Sequence, residues 1–303
     1  MPASDAHPVD RQPLSVAACA DPASDHDLLK AAARLSVDLN IPFLEKPAKR
    51  GVDALLVAAP GRLELRMIGG DPITRGGRAV CVNLADIDVT SAAGKRLKQP
   101  IAKALGIKSA KDALTVIDAT AGWGEDSYLM AGLGCRVLAV ERNRITATLL
   151  RDGLFRAAMQ HAEVAGRITL ITSNAIHLLR RIAHLTGKHL DHELATREEL
   201  PAHLEAFFHP DVVYLDPMFP ARKKGAEGKP MKVLRQLVGD DDDATRLFEA
   251  AIRVAKKRVI VKRPLKGEPL VDRKPAACHK GKAMRFDVYV GEGGKEVKGG
   301  TGR

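Results

Sequence analysis

What this chain lacks narrows it first. No apolar run approaches the roughly 20 residues that cross a bilayer, which excludes a helical membrane span. The opening residues, Met1 to Gln12, carry Pro, Asp and His instead of a basic stretch followed by an apolar one, so no secretory signal is read there. Cysteine is sparse. Cys19, Cys81, Cys135 and Cys278 stand far apart and form no CxxC pair, which favours reduced thiols in a cytoplasmic protein over a metal site or a disulfide framework. Aromatics are only 4% of the residues, so the 45% hydrophobic share that builds the core is mostly aliphatic. No internal repeat is present. Acidic residues are outnumbered, 37 against 48 Lys and Arg, and the resulting net charge of +11 attracts polyanions, of which nucleic acid is the commonest in cytoplasm.

The 303 residues suffice for one large α/β domain and a smaller one. Residues 1–13 and 292–303 read as disordered tails, rich in Gly or Pro with little to bury. Residues 14–88 read as a small α/β domain. Its candidate strands are Leu14–Ala20, Ala54–Ala59, Leu63–Ile68 and Ala79–Leu84, with a helix over Asp27–Leu39 and a hairpin turn at Pro60-Gly61. Residues 89–291 alternate strand and helix. Strands are expected at Thr115–Asp118, Arg136–Glu141, Ile168–Thr172, Val212–Asp216, Arg258–Lys262 and Arg285–Val290, and helices at Asp126–Gly132, Ile145–Gln160, Ala175–Leu185 and Thr245–Ala255. That rhythm predicts a doubly wound, Rossmann-like parallel sheet with its site at the carboxyl ends of the strands. Residues 187–209, rich in His and Glu, read as an inserted excursion.

Thr115-Val-Ile-Asp-Ala-Thr-Ala-Gly-Trp-Gly-Glu-Asp126 carries the most information. An apolar run ends in Asp118, a loop with Gly122 and Gly124 follows, and a helix opens with Glu125 and Asp126. Glycine there lets backbone come close to a ligand. A phosphate would be repelled by the two carboxylates at the helix mouth. A cationic ligand is favoured, and S-adenosylmethionine, with its sulfonium and ammonium groups, is one. Glu141 closes the second strand about twenty residues on, where a carboxylate can accept hydrogen bonds from ribose hydroxyls, and Arg142 could flank the adenosine. Asn174 could read the adenine edge, with Ala175 leaving room for the ring. Each of these also has a plainer reading: Asp118 as a turn former, Glu141-Arg142 as a solvated pair, Asn174 as a helix cap.

Asp216-Pro-Met-Phe-Pro220 closes the fourth strand. Proline removes a backbone donor, so Asp216 and the carbonyls beside Pro217 remain as acceptors that can hold an exocyclic amine. Phe219 can stack on the base, a contact worth roughly 1–3 kcal/mol, or fill the core beneath a rigid turn. Neither a metal nor a covalent nucleophile is required, because a sulfonium is already a good leaving group. The acidic run Asp240–Asp243 reads as a cap for the next helix.

These residues resemble the RsmJ-type 16S ribosomal RNA guanine-N2 methyltransferases, within the class I S-adenosylmethionine-dependent superfamily. The resemblance rests on Asp118-Ala-Thr-Ala-Gly-Trp-Gly124, Gly134-Cys-Arg-Val137, Glu141-Arg-Asn143, Val213-Tyr-Leu-Asp-Pro-Met-Phe-Pro220, Gln236-Leu-Val-Gly239, Val261-Lys-Arg-Pro264 and Arg285-Phe-Asp-Val-Tyr289. It covers residues 99–290 and implies a mostly parallel seven-stranded sheet. It also implies cofactor contacts at Glu125, Asp126, Glu141, Arg142, Asn174, Ala175 and Asp216, and a ribosomal RNA or small ribosomal subunit as partner. The family usually has a basic residue where Glu125 stands. Lys95, Arg96 and Lys98, Arg222-Lys-Lys224, and Lys262-Arg263 are the candidate phosphate contacts, although for any single lysine among them solvated charge is the better reading.

Other classes stay open on the residues alone. The same chemistry on another RNA, DNA or protein amine fits an Asp-Pro loop. A dinucleotide-dependent oxidoreductase is disfavoured because the loop lacks the GxGxxG spacing, and a non-catalytic RNA-binding protein would have no use for Asp216–Phe219.

Overall fold

The computed structural model describes residues 14–69, 74–91, 99–109, 113–187, 200–218, 228–239 and 241–294. The chain divides into two compact units, one drawn from Met1–Cys81 and Arg222–Gly239 and the other from Val82–Ala221 and Asp240–Arg303.

In the first unit β1 (Val16–Ala20) leads into α1 (His26–Leu39), then β2 (Phe43–Leu44), β3 (Ala54–Ala59) and β4 (Arg62–Met67). The helix starts where Asp25 accepts the N–H groups of Asp27 and Leu28 and stops where Asn40 turns left-handed at φ 54°; such an N-cap is worth about 1 kcal/mol. The sheet order is β2-β1-β3-β4, parallel except for the β3–β4 hairpin. Gly61 takes the positive φ of that turn, as the Pro60-Gly61 pair predicted. Ala20, Ala32 and Ala58 let α1 lie close on one face of the sheet. The expected strand at Ala79–Leu84 is corrected. Only a single bridge pairs Val80 with Leu65, and Leu84–Asp86 is a 3-10 turn. The run is apolar because it is buried by packing, as where Val82 lies against Gly153, and not because it joins a ladder.

The second unit opens with α2 (Pro100–Leu105), which the periodicity did not reveal, and continues with β5 (Thr115–Asp118), α3 (Glu125–Gly132), β6 (Arg136–Glu141) and α4 (Arg144–Ala158). The short α5 (Ala162–Ala165), then β7 (Ile168–Thr172), α6 (Ala175–Leu185) and β8 (Val212–Leu215) follow. Helix α7 (Lys229–Val238) belongs to the first unit. Back in the second unit, α8 (Ala244–Val254), β9 (Arg258–Pro264), β10 (Ala277–Lys280) and β11 (Met284–Val290) complete the chain. The seven strands run in the order β10-β11-β9-β8-β5-β6-β7. Strands β9, β8, β5, β6 and β7 are parallel neighbours, and β11 is antiparallel to β9.

Parallel strands covered on both faces need apolar side chains on both, and β6 and β8 comply. Helices α6 and α8 bury Ile176, Leu179, Ile182, Leu247 and Ala251 against one face, where Phe248 meets Tyr289 edge-on at 4.8 Å. Within 187–209 the described part is a 3-10 turn, Ala202–Phe207, anchored by Leu204 and Phe207. Past β11, Glu292 and Gly293 are still bonded, through their N–H groups, to the carbonyls of Ile252 and Ala255. No helix among the described residues is long and apolar enough to cross a membrane.

Candidate active site

The chain order of this sheet reverses between β5 and β8. From β5 it moves to β6 and β7 on one side, and from β8 to β9 on the other. The crevice outside the carboxyl ends of those two strands is where a doubly wound sheet binds its ligand. Asp118 and Asp216 stand at those two ends.

The loop after β5 is shaped by its glycines. Gly122 and Gly124 take φ of 53° and 78°, and a Cβ on Gly124 would come within 2.3 Å of Leu150. Asp118 is 1% exposed and accepts the Ser127 hydroxyl at 2.5 Å and the Thr120 N–H at 3.2 Å. Burial pushes its carboxyl up to about 7, against the pull of the Ser127 bond and with help from the nearby Asp126 charge. Thr120 in turn accepts the backbone N–H of Asp216 at 2.7 Å, tying the two strand ends together.

Glu141 ends β6 almost fully buried. One carboxylate oxygen accepts the Gly122 N–H at 2.9 Å and the other the Asn143 N–H at 2.7 Å. Burial raises its pKa, and the two N–H groups and Arg142 oppose the rise. Each oxygen keeps a further lone pair. The plain reading of Asn174 is also true, since its side-chain oxygen caps α6 by accepting the Ile176 and His177 N–H groups. Its amide NH2 is therefore the half it can offer to a ligand. The Ser173 N–H bonds the Glu141 carbonyl, so the Asn174 turn adjoins the Glu141 loop, and Ala175 is buried as the first residue of α6.

Pro217 ends the β8 ladder for want of an N–H. Beside it, one lysine joins two acids. Lys262 Nζ lies 2.6 Å from Asp126 Oδ2 and 3.0 Å from Asp216 Oδ2, and the buried Tyr214 hydroxyl donates to the same Asp126 oxygen at 2.7 Å. Lys262 and Arg263, expected among the phosphate contacts, are thus drawn inward in this structure. Arg263 is 7% exposed and donates to the Glu268 carbonyl.

Glu125 is exposed at the helix mouth. Arg142 turns to Asp241 and Asp243. Asp243 occupies the N-cap position of α8 but makes no side-chain capping bond, so the acidic run works through Arg142 and not as the expected cap. Asp240 lies outside the described residues, as do Phe219, Lys95, Arg96, Lys98, Arg222, Lys223 and Lys224. No group of three or more His, Cys, Asp or Glu that could hold a metal occurs among the described residues.

Sequence reading missed Tyr214, Thr120, Ser127 and Asp241, and the inward role of Lys262. Lys262 gave no signal of that role along the chain: only the folded register, Leu215 opposite Val261, places it beside Asp216 across neighbouring strands.

Asp126 and Asp216 share Lys262 as their counter-charge, Asp118 lies close to both, and Glu141 holds the glycine loop that follows β5. This donor set is acidic and rich in acceptors, which fits the cationic, hydroxyl-bearing S-adenosylmethionine and does not fit a pyrophosphate.

Comparison with known proteins agrees. The family model described as "Putative SAM-dependent methyltransferase" matches residues 44–291. The ribosomal RNA small subunit methyltransferase J of Thioalkalivibrio sulfidiphilus is 38% identical over 281 residues, covering 88% of this chain and 95% of that protein. The protein of the same name from Aeromonas salmonicida is 40% identical over 242 residues, covering 78% and 85%. Among solved structures, a SAM-dependent methyltransferase from Neisseria gonorrhoeae superposes with a TM-score of 0.59 at 29% identity, covering 93% of this chain and 98% of that one. With the sheet order, the acidic crevice and these matches in agreement, the chain belongs to the S-adenosylmethionine-dependent methyltransferase family that includes the small-subunit ribosomal RNA methyltransferases J.

Proposed function

We propose that this protein methylates the exocyclic N2 of a guanosine in 16S ribosomal RNA, acting in the cytoplasm on the RNA or on the small subunit that contains it. The observation that carries the reading is the end of β8, where Asp216 sits at the sheet's switch point, bonded through its N–H to Thr120 and through its carboxylate to Lys262. The names of the relatives supply the substrate class.

Glu141 would hold the ribose hydroxyls, Arg142 and the Asn174 amide would flank the adenine beside Ala175, and Glu125 and Asp126 would face the ammonium end. Gly122 and Gly124 clear the approach, and Asp118 braces the loop through Ser127. When bound, the cofactor supplies a methyl group on a positively charged sulfur. The protein's share is to hold the amine. Asp216 and the carbonyls beside Pro217 accept its N–H bonds, which aims the nitrogen lone pair and gives the released proton a nearby acceptor. Phe219 would stack on the flipped base, and the basic residues would offset the few kcal/mol that unstacking costs.

Mapping methylated guanines in ribosomal RNA from cells with and without the protein tests the substrate. One guanosine losing its N2 methyl group is the expected result, and an unchanged map refutes the target. Asp216→Ala should abolish transfer while leaving a cooperative thermal transition, whereas retained turnover would remove Asp216 from the reaction.

A further inference from the structure

We infer that Lys262 is a positioning residue for methyl transfer: its ammonium, shared between Asp126 and Asp216, fixes the Asp216 carboxylate in place and keeps it ionised toward the amine. The inference deepens the proposed function and rests on it.

The geometry is specific. Lys262 reaches Asp216 at Oδ2, 3.0 Å away, and an amine in the crevice would be met by the other oxygen of that carboxylate. The same ammonium is held from the other side by Asp126, whose Oδ2 is also fixed by the Tyr214 hydroxyl. A flexible lysine is thereby pinned at both ends of its reach, and only about a fifth of its side chain is exposed. A lysine serving RNA phosphates would be free to extend. This one is not.

The charges around Asp216 favour opposite outcomes. Lys262 and Arg263 face it from β9, Asp126 from α3, Asp118 from β5, Tyr214 from β8 and Asp241 from the segment before α8. Burial raises the Asp216 carboxyl to about 6, Lys262 pulls it down, and Asp126 and Asp241 push it up. Burial also works against the charge on Lys262, but the two carboxylates outweigh it and hold the ammonium above its ordinary value. Without Lys262, three acidic groups would confront one another, and Asp216 would bind a proton at the pH where it must accept one.

The test is the pH dependence of single-turnover methyl transfer in Lys262→Met, Lys262→Arg and Asp126→Asn. It is paired with a 13C titration of the aspartate carboxylates in the protein without cofactor, with Asp216→Asn identifying the resonance. The inference predicts that the acid limb and the Asp216 titration move up by about one to three pH units in Lys262→Met, stay near wild type in Lys262→Arg, and move down in Asp126→Asn. A merely structural lysine would lower the rate or the thermal midpoint without moving the limb in opposite directions. An unmoved limb in Lys262→Met, or a shift of the same sign in both neutralising variants, overturns the inference while leaving the proposed function intact. If Lys262→Met does not fold, the direction of shift in Asp126→Asn decides. A folded wild-type protein that methylates no RNA overturns both.

Discussion

Asp241 accepts the backbone N–H of Met218 at 2.6 Å, although 23 residues separate them in sequence. The other oxygen of the same carboxylate takes the Arg142 guanidinium at 2.5 Å. One acid therefore connects the loop proposed to hold the amine with the residue proposed to flank adenine. Asp241→Ala should release both. A charge-assisted bond of this kind contributes about 1.5–3 kcal/mol, and with part of the combined loss falling on stability, kcat/KM should fall roughly tenfold to a hundredfold, with SAM affinity falling too. Unchanged steady-state kinetics would reduce Asp241 to a surface ion pair.

Glu141→Gln keeps the shape of the side chain but replaces one acceptor oxygen with a donor. Either the Gly122 or the Asn143 N–H then faces an NH2 group and loses its partner. Calorimetry should show SAM binding weakened roughly tenfold to a hundredfold. Wild-type affinity would exclude Glu141 from the pocket.

Asp118 predicts a pH signature in stability. Its folded carboxyl sits at about 7 against an ordinary 3.8, so between those values the folded state binds more protons than the unfolded one, and stability falls as pH rises. Asp118→Asn removes that cost while its oxygen still accepts from Ser127, and the lost Thr120 N–H bond is a loss that does not vary with pH. Denaturant titrations should show the variant gaining on wild type from pH 4 to 8, by up to roughly 4 kcal/mol. A gain that is flat or reversed across this window would mean the carboxylate is ionised without penalty.

Gly124→Ala should destabilise the protein by about 1–3 kcal/mol, because the new Cβ meets Leu150 and φ is 78°. Leu150 is buried and its shortening to Ala has its own cost, but on a Leu150→Ala background only the contact is relieved, so the Gly124→Ala penalty read by thermal unfolding should shrink in part. Its full disappearance would show that the positive φ costs nothing.

Removing Arg222, Lys223 and Lys224 together should weaken RNA binding across sequences and reduce the salt slope by about 2. A slope equal to wild type in filter-binding titrations would place the phosphate contacts elsewhere.

Much of this was legible in the chain. The parallel strands of the second unit read correctly because both faces of a parallel sheet are buried, and buried runs such as Val212–Leu215 show as unbroken apolar stretches. Helices α4, α6 and α8 read within a residue or two because apolar faces, and in α4 and α6 the Asn143 and Asn174 caps, are local features. Strand β10 did not read, since Ala277–Lys280 is a largely exposed edge with no burial pattern. Ala79–Leu84 misread as a strand because apolar content reports burial and not pairing.

The sequence by itself determined the class of fold, the glycine loop, and the identity of the acids at the strand ends, since these follow from short-range patterns of burial and turn chemistry. Tertiary structure alone decided which charges meet. Lys262 reads in sequence as one basic residue among 48 Lys and Arg, and only the pairing of β9 with β8, and the placement of α3 beside them, sets it between Asp216 and Asp126. Electrostatic partnership depends on distance in space, and three segments separated by 90 and 46 residues have no shared pattern along the chain to announce it.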